Sequence, residues 1–264
     1  MNTQTVYIGV AGLLAKHVLE VASFYEILVS KMKRPPFLFL GMQTSRKKLN
    51  DELVNPAYSG RMNSFGQISE ATDLVQKFNF CKLIVHYNPS GGYYLDGACE
   101  HILRIKNMNV AGIQWNGLNI IEPNPDGDPY AHLLNMNELG LVSILQIGSK
   151  DYEDVENFVQ EIQDPFFQTT ASHLLFDGSG GRGIPLDEDK AVEWIKALRR
   201  SNNDLGIAIS GGIGIDSLNV LTRIRGRLGY QESISIDAEA KLMDDFHFSP
   251  DKAKKFLAEA LKYY

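Results

Sequence analysis

Eight short apolar segments alternate with helical segments along 264 residues, and two of the apolar runs end in clustered glycines; together these predict a (β/α)8 barrel of the TIM type. The two glycine-ended runs anchor the reading. His173-Leu174-Leu175-Phe176-Asp177 leads into Gly178-Ser179-Gly180-Gly181-Arg182-Gly183, and Gly206-Ile207-Ala208-Ile209 leads into Ser210-Gly211-Gly212-Ile213-Gly214. A short apolar run with no polar alternation is a strand buried on both faces, and strand, loop, helix and strand in succession make a right-handed βαβ unit. Glycines after a strand let backbone N–H groups approach a ligand without a Cβ between them, which suits an anion such as phosphate.

The remaining elements follow in order. Val6 to Gly12 reads as a first strand ending in small residues, and His17 to Lys31 as a helix with Val18, Val21, Ala22, Tyr25, Leu28 and Val29 on one face. Pro35-Pro36 stops that helix before a second strand, Phe37 to Gly41. Met42 to Asn63 reads as a long polar loop, either a lid, with Gly60 and Gly66 flanking basic Arg61, or a surface excursion. A helix over Ser69 to Phe78 precedes a third strand, Lys82 to Tyr87; a helix over Tyr94 to Lys106 precedes a fourth, Val110 to Gln114. Helical pattern around Tyr130 to Leu139 leads to a fifth strand, Val142 to Ile147, and Asp154 to Ile162 is a helix ahead of the sixth. Ser233 to Asp237 is the eighth strand, and Pro250 to Leu261 the closing helix. No linker or composition break interrupts residues 1–264, so the expectation is one barrel domain. The competing doubly wound sheet needs a glycine fingerprint after its first strand, and Gly9-Val10-Ala11-Gly12 does not match one.

Composition narrows the function. An apolar fraction of 44% and a charged fraction of 22% describe a globular chain, and the net charge of −6 with no basic stripe argues against nucleic acid. No run is long and apolar enough to span a membrane, and Met1 to Val10 does not read as an export signal, so a cytoplasmic protein is expected. Cys81 and Cys99 are too few for a zinc knuckle and read as core thiols; no metal or cofactor is expected. The expected partner is a small molecule, and the sequence carries no signal of oligomeric state.

In such a barrel the site lies at the C-terminal ends of the strands, with phosphate held after strands seven and eight. This points to Ser210, Gly211 and Gly212 for the anion, and the glycine cluster after strand six adds Gly181, Arg182 and Gly183. The polar residues at the strand ends, Gln43, Thr44, Arg46, His86, Asn88, Gln114, Asn116, Gln146, Asp177, Asp237 and Glu239, stand around the rest of the ligand.

These residues resemble a known family. Leu174 to Asp177 with Gly180-Gly181-Arg182-Gly183-Ile184-Pro185-Leu186-Asp187 looks like the sixth strand and loop of phosphoribosylanthranilate isomerase, and Ile207 to Ile213 is similar to that family's L-A-G-G-L. Ile113-Gln114-Trp115-Asn116-Gly117 resembles its Q-L-H-G, Thr44-Ser45-Arg46 its S-P-R, and Phe248-Ser249-Pro250-Asp251-Lys252 its K-D-P-E-K. The resemblance implies a phosphorylated sugar as ligand and an Amadori rearrangement, in which a ribosyl-phosphate aldose amine becomes a deoxyketose. It also implies Asp177 as the acid that opens the furanose ring, and Arg46 as clamp on the substrate carboxylate. Asp177 has a second reading, as an anchor for the glycine loop.

Two departures from the family pattern matter. Where the family carries its cysteine base this chain has Tyr7-Ile8-Gly9-Val10, leaving His86, Asp237 and Glu239 as candidate bases. After strand eight, where the family has S-S-G, the chain has Asp237-Ala238-Glu239-Ala240. Two like charges about 4 Å apart repel by roughly 4 kcal/mol at an effective dielectric near 20, so phosphate there needs Arg182 or another cation. Three functions therefore stand: a phosphosugar isomerase with an altered substrate or base, a non-catalytic metabolite-binding barrel, and a lyase or hydrolase using Asp237 and Glu239 with a metal.

Overall fold

Each apolar run forms a parallel strand in the computed structural model, which describes residues 5–52, 61–88, 95–116, 139–148, 155, 159–160, 171–177, 183–201, 204–229 and 232–264. The strands are β1 (Tyr7–Ala11), β2 (Phe37–Ser45), β3 (Cys81–Asn88), β4 (Gly112–Asn116), β5 (Val142–Gly148), β6 (His173–Asp177), β7 (Gly206–Ile209) and β8 (Ile234–Ala238). They pair in sequence order, and β1 pairs with both β2 and β8, Gly9 lying opposite Phe39 on one side and Asp237 on the other. This closed parallel barrel is the (β/α)8 architecture expected from the sequence.

Helices cover the outside: α1 (Ala15–Val29), the single turn α2 (Arg46–Leu49), α3 (Phe65–Val75), α4 (Leu95–Lys106), α5 (Glu188–Arg200), α6 (Val220–Leu228) and α7 (Pro250–Ala260). Their ends follow local chemistry. Ser64 and Gln67 form a reciprocal capping box on α3, which is why that helix starts at Phe65 and not at Ser69. Asp187 accepts from the N–H groups of Asp189 and Lys190, while Arg199 and Arg200 stand at the opposite end of α5, where the helix dipole favours cations. Among the described residues no helix is long and apolar enough to cross a membrane.

Strand alternation separates two cores. Ile8, Val10, Leu38, Leu40, Leu83 and Val85 point outward against the helices. Tyr7, Phe39, Ile84, Ile144, Leu175 and Ala208 form a separate apolar layer inside the barrel, where the Tyr7 and Phe39 rings stack 4.2 Å apart. Below it, His173 Nε2 lies 2.8 Å from the Thr5 carbonyl. The next inward positions up the strands are no longer apolar: Gly9, Gly41, His86, Gln114, Gln146, Asp177 and Asp237.

Several sequence expectations change in detail. Met42 to Ser45 continues β2 instead of opening a loop, because Met42, Thr44 and Ser45 are buried against the barrel. Gly66 lies within α3 and not in the loop. Between β8 and α7 the chain forms an unexpected hairpin of β9 (Met243–Asp244) and β10 (His247–Phe248), turned by Asp245 and Phe246 at φ 45° and 66°. Cys81 is buried, as expected of a core thiol, whereas the Cys99 side chain lies outside the described residues. The helices expected over 130–139 and 154–162 fall largely outside them too.

Close approach of backbones makes one strand glycine irreplaceable. A Cβ on Gly112 would lie 2.2 Å from the Val142 carbonyl oxygen, and backbone cannot step aside as a side chain can. Gly112→Ala should therefore destabilise by about 3 kcal/mol. Gly226, inside α6 with open space around its Cβ position, should gain about 0.5 kcal/mol on the same change. Urea unfolding of the two variants measures both signs.

Candidate active site

The site grows out of the polar layer that caps the barrel interior. Glycines on β1 and β2 leave room for larger neighbours to lean across. A Cβ on Gly9 would lie 2.6 Å from Asp237 Oδ1, and a Cβ on Gly41 would lie 2.4 Å from His86 Nε2. These two polar side chains thus occupy the space that side chains on β1 and β2 would fill. Both are buried, at 6% exposure each.

Opposite them runs a hydrogen-bonded chain across three strands. Gln114 Nε2 on β4 donates to Gln146 Oε1 on β5 at 3.3 Å, and Gln146 Nε2 donates to Asp177 Oδ2 on β6 at 2.6 Å. Asp177 Oδ1 faces the glycine turn after β7, where a Cβ on Gly211 would be 3.4 Å away. Gly211 and Gly212 have φ of 91° and 61°, a conformation that L side chains rarely adopt. The turn packs on the loop after β6: a Cβ on Gly212 would lie 3.0 Å from the Gly183 carbonyl oxygen. Gly183, Ser210, Gly211 and Gly212 are therefore brought together beside Asp177.

A third group closes the rim. Glu239, just past β8, accepts from Gln43 Nε2 at 2.6 Å and pairs with Arg61 Nη1 at 3.2 Å. Arg61 is held there by its neighbour Asn63, whose Nδ2 donates to the carbonyls of Leu13 and Gln43 at 3.0 and 3.1 Å. The end of the expected lid loop is thus tied to the barrel at Asn63; residues 53–60 lie outside the described residues.

Electrostatics follow from this burial. Desolvation, then the negative charges of Glu239 and Asp177, push the Asp237 carboxyl up to about 8, against a weaker pull from the Ala238 N–H and the Gln114 side chain. Desolvation also raises Glu239, opposed by Arg61 and Gln43. Burial lowers His86 to about 4, so at neutral pH its ring is uncharged. Asp237 Oδ1, Gln114 Oε1 and Ser210 Oγ are buried with no hydrogen-bond partner among the protein's described residues.

Of the residues singled out from the sequence, His86, Gln114, Asp177, Gly183, Ser210, Gly211, Gly212, Asp237 and Glu239 all stand at this mouth. Asn116 ends β4 and Arg46 opens α2, but their side chains lie outside the described residues, as do Gly181 and Arg182. Gln43 and Gln146, polar at their strand ends and sharing the inward parity of Phe39 and Ile144, join the site as well. Arg61 was not among the selected site residues; it arrives through loop closure, which no spacing announces. Among the described residues no three His, Cys, Asp or Glu side chains group as metal ligands, so the metal-dependent alternative gains no support there.

No protein-family model matches the chain, and no match is found among curated protein sequences. Solved structures do resemble it. The phosphoribosyl anthranilate isomerase of Thermus thermophilus aligns with a TM-score of 0.58 and 16% identity, over 98% of this chain and 100% of that one. The corresponding enzyme of Thermococcus kodakaraensis gives 0.51 and 14%, over 96% and 98%. The tryptophan synthase alpha chain of Legionella pneumophila subsp. pneumophila gives 0.54 and 12%, over 99% and 92%. The likeness is one of fold, a TIM barrel aligned end to end.

The raised Asp237 carboxyl has a stability consequence. An unfolded aspartate titrates near about 3.9, whereas Asp237 in the fold titrates at about 8. The fold therefore favours the protonated form, and this contribution is lost as pH rises from about 4 through about 8. Asp237→Asn should stabilise the protein progressively across that window, by on the order of 2 kcal/mol or more at pH 8. His86 acts in the opposite sense in both proteins, losing stability as pH falls from its ordinary 6.5 towards about 4. Thermal melts of both proteins from acid to alkaline pH check the divergence; parallel curves would refute it.

Proposed function

We propose that this chain is an acid–base enzyme of the aldose–ketose, Amadori-type isomerase class acting on a phosphorylated sugar derivative. The observation that carries the reading is the replacement at the first strand. Gly9 stands where the resembling family has its cysteine base, and Asp237 Oδ1 occupies the volume that a side chain on residue 9 would need. A carboxyl titrating at about 8 has nearly the proton affinity of an ordinary thiol, about 8.5. Asp237 is thus a base matched in position and in basicity, and general bases work best near the operating pH.

In this reading Asp177 donates a proton to the ring oxygen as the furanose opens. Breaking the C1–O bond leaves an iminium at C1; Asp237 takes the proton from C2, and that C–H electron pair forms the C1=C2 bond and neutralises the iminium. Asp237 then returns a proton to C1 while the O2 hydroxyl gives its proton to Asp177, yielding the ketose. Gln146 orients Asp177 through its 2.6 Å hydrogen bond. His86, uncharged and packed on Gly41, shapes the pocket on the Asp237 side.

Phosphate would sit on the backbone of Gly183, Ser210, Gly211 and Gly212, with Gly181 and Arg182 completing the loop. The nearby carboxylates call for a compensating cation, and Lys241, whose stem lies against Gly214 on the glycine-rich segment after β7, is the one we propose. Arg46 and Asn116 remain proposed contacts to the rest of the substrate. This reading takes a small molecule as the only partner.

Asp177→Asn and Asp237→Asn should each lower kcat by about a hundredfold to ten-thousandfold while ligand binding persists. The groups facing Asp237 are Asp177, Glu239 and the Tyr7 phenol. With Asp237 as base, the wild-type rate should climb with pH until that carboxyl ionises near about 8, and the climb should vanish in Asp237→Asn. Turnover of aldose-amine phosphates at the wild-type rate in that variant would refute Asp237 as base; binding without turnover in the wild type would favour a non-catalytic barrel.

A further inference from the structure

We propose that the barrel mouth selects a substrate bearing an unsubstituted amine, and disfavours one whose amine carries an aryl carboxylate. This rests on the phosphosugar reading for its anchor but concerns the opposite end of the ligand. The hydrogen-bond chain dictates which atoms face the ligand. Asp177 Oδ2 accepts, so the group approaching it is Gln146 Nε2, and Gln146 Oε1 must be the atom turned towards Gln114. Gln114 Nε2 donates to it, which leaves Gln114 Oε1 as a buried acceptor with no partner. Asp237 Oδ1 is a second buried oxygen with no partner, and the Gln114 side chain donates to the Asp237 carboxyl, so the two residues adjoin. Gln114 is 3% exposed and Asp237 6%, too deep for bulk water to serve them.

A hydroxyl could satisfy one acceptor, whereas an ammonium carries several donors and matches the charge. Asp177, Asp237 and Glu239 are mutually coupled, and among the described residues Arg61 is the cation paired with them, already engaged by Glu239. A ligand carboxylate placed there meets like charge in a desolvated site. Gln114 is therefore a specificity residue that reads N–H donors next to the carbon from which Asp237 takes its proton.

Titration calorimetry on the full chain tests this with four probes: ribitol phosphate, the corresponding aminodeoxyribitol phosphate, its N-carboxyphenyl derivative, and the aminodeoxyribitol without phosphate. The free-amine phosphate should bind about tenfold or more tightly than ribitol phosphate, with the carboxyphenyl derivative weakest. Gln114→Leu should weaken the free-amine probe by about tenfold, and Gln114→Glu should keep it while weakening the carboxyphenyl probe further. The wild-type ranking stands without either variant should one fail to fold. Equal binding of all three phosphorylated probes, or tightest binding of the carboxyphenyl derivative, overturns the inference and leaves the phosphate reading in place. Equal binding of the amine with and without phosphate overturns the phosphate reading and leaves this one. Binding of none of the four overturns both.

Discussion

The volume inside an eight-stranded barrel is the constraint from which the rest follows. The side chains that point into the barrel must sum to a fixed volume without voids. In its apolar interior this chain meets the condition with Tyr7, Phe39 and four aliphatic residues. One step higher, β1 and β2 contribute only Gly9 and Gly41, and the balance is made up by Asp237 and His86 leaning over them. A polar side chain held in this way cannot relax towards solvent, because the glycine that admits it also borders its far side. The barrel thus fixes a carboxyl where, by composition alone, an apolar residue belongs.

That placement sets stability against chemistry. A buried carboxyl without a full set of donors resists ionisation, and two neighbouring carboxyls increase the resistance. Replacing Asp237 by a neutral isostere should ease the fold, so its carboxylate is a cost to stability and not a support. Arg61 limits the strain at the outer edge by pairing with Glu239, and Asn63 secures Arg61 by fastening the loop to β2. The inner carboxyl has no comparable cation among the described residues. Its relief has to come from a proton or from a ligand donor, and these are the two states an acid–base catalyst alternates between.

The barrel was legible in the sequence because strands buried on both faces read as apolar runs and because helical spacing separates them; Val142 to Ile147 and Ile207 to Ile209 needed nothing more. Boundaries were less so. Met42 to Ser45 looks polar, yet its inward Gln43 belongs to the site and its outward Met42 and Thr44 to the core, a mixture that the eye takes for loop. The site divides along the same line. Asp177, Gln114 and Asp237 end apolar runs and announce themselves, whereas the meaning of Gly9 emerged only when β8 was seen beside β1, since residues 228 positions apart share no sequence pattern. Arg61 shows the limit most sharply. A loop arginine looks solvated until the chain on either side has closed.

A shared barrel does not carry chemistry from one protein to another, because chemistry depends on which strand supplies the reacting group. In this chain β1 contributes only Gly9 at this level, and the Asp237 carboxyl of β8 occupies the space beside it. A thiol on β1 would leave the end of β8 available for backbone amides around an anion; a carboxylate on β8 brings negative charge to the same end, with Glu239 two residues beyond. A ligand at this end meets Asp237 and Glu239 together, so the inner carboxyl and the outer rim set its charge environment as one unit.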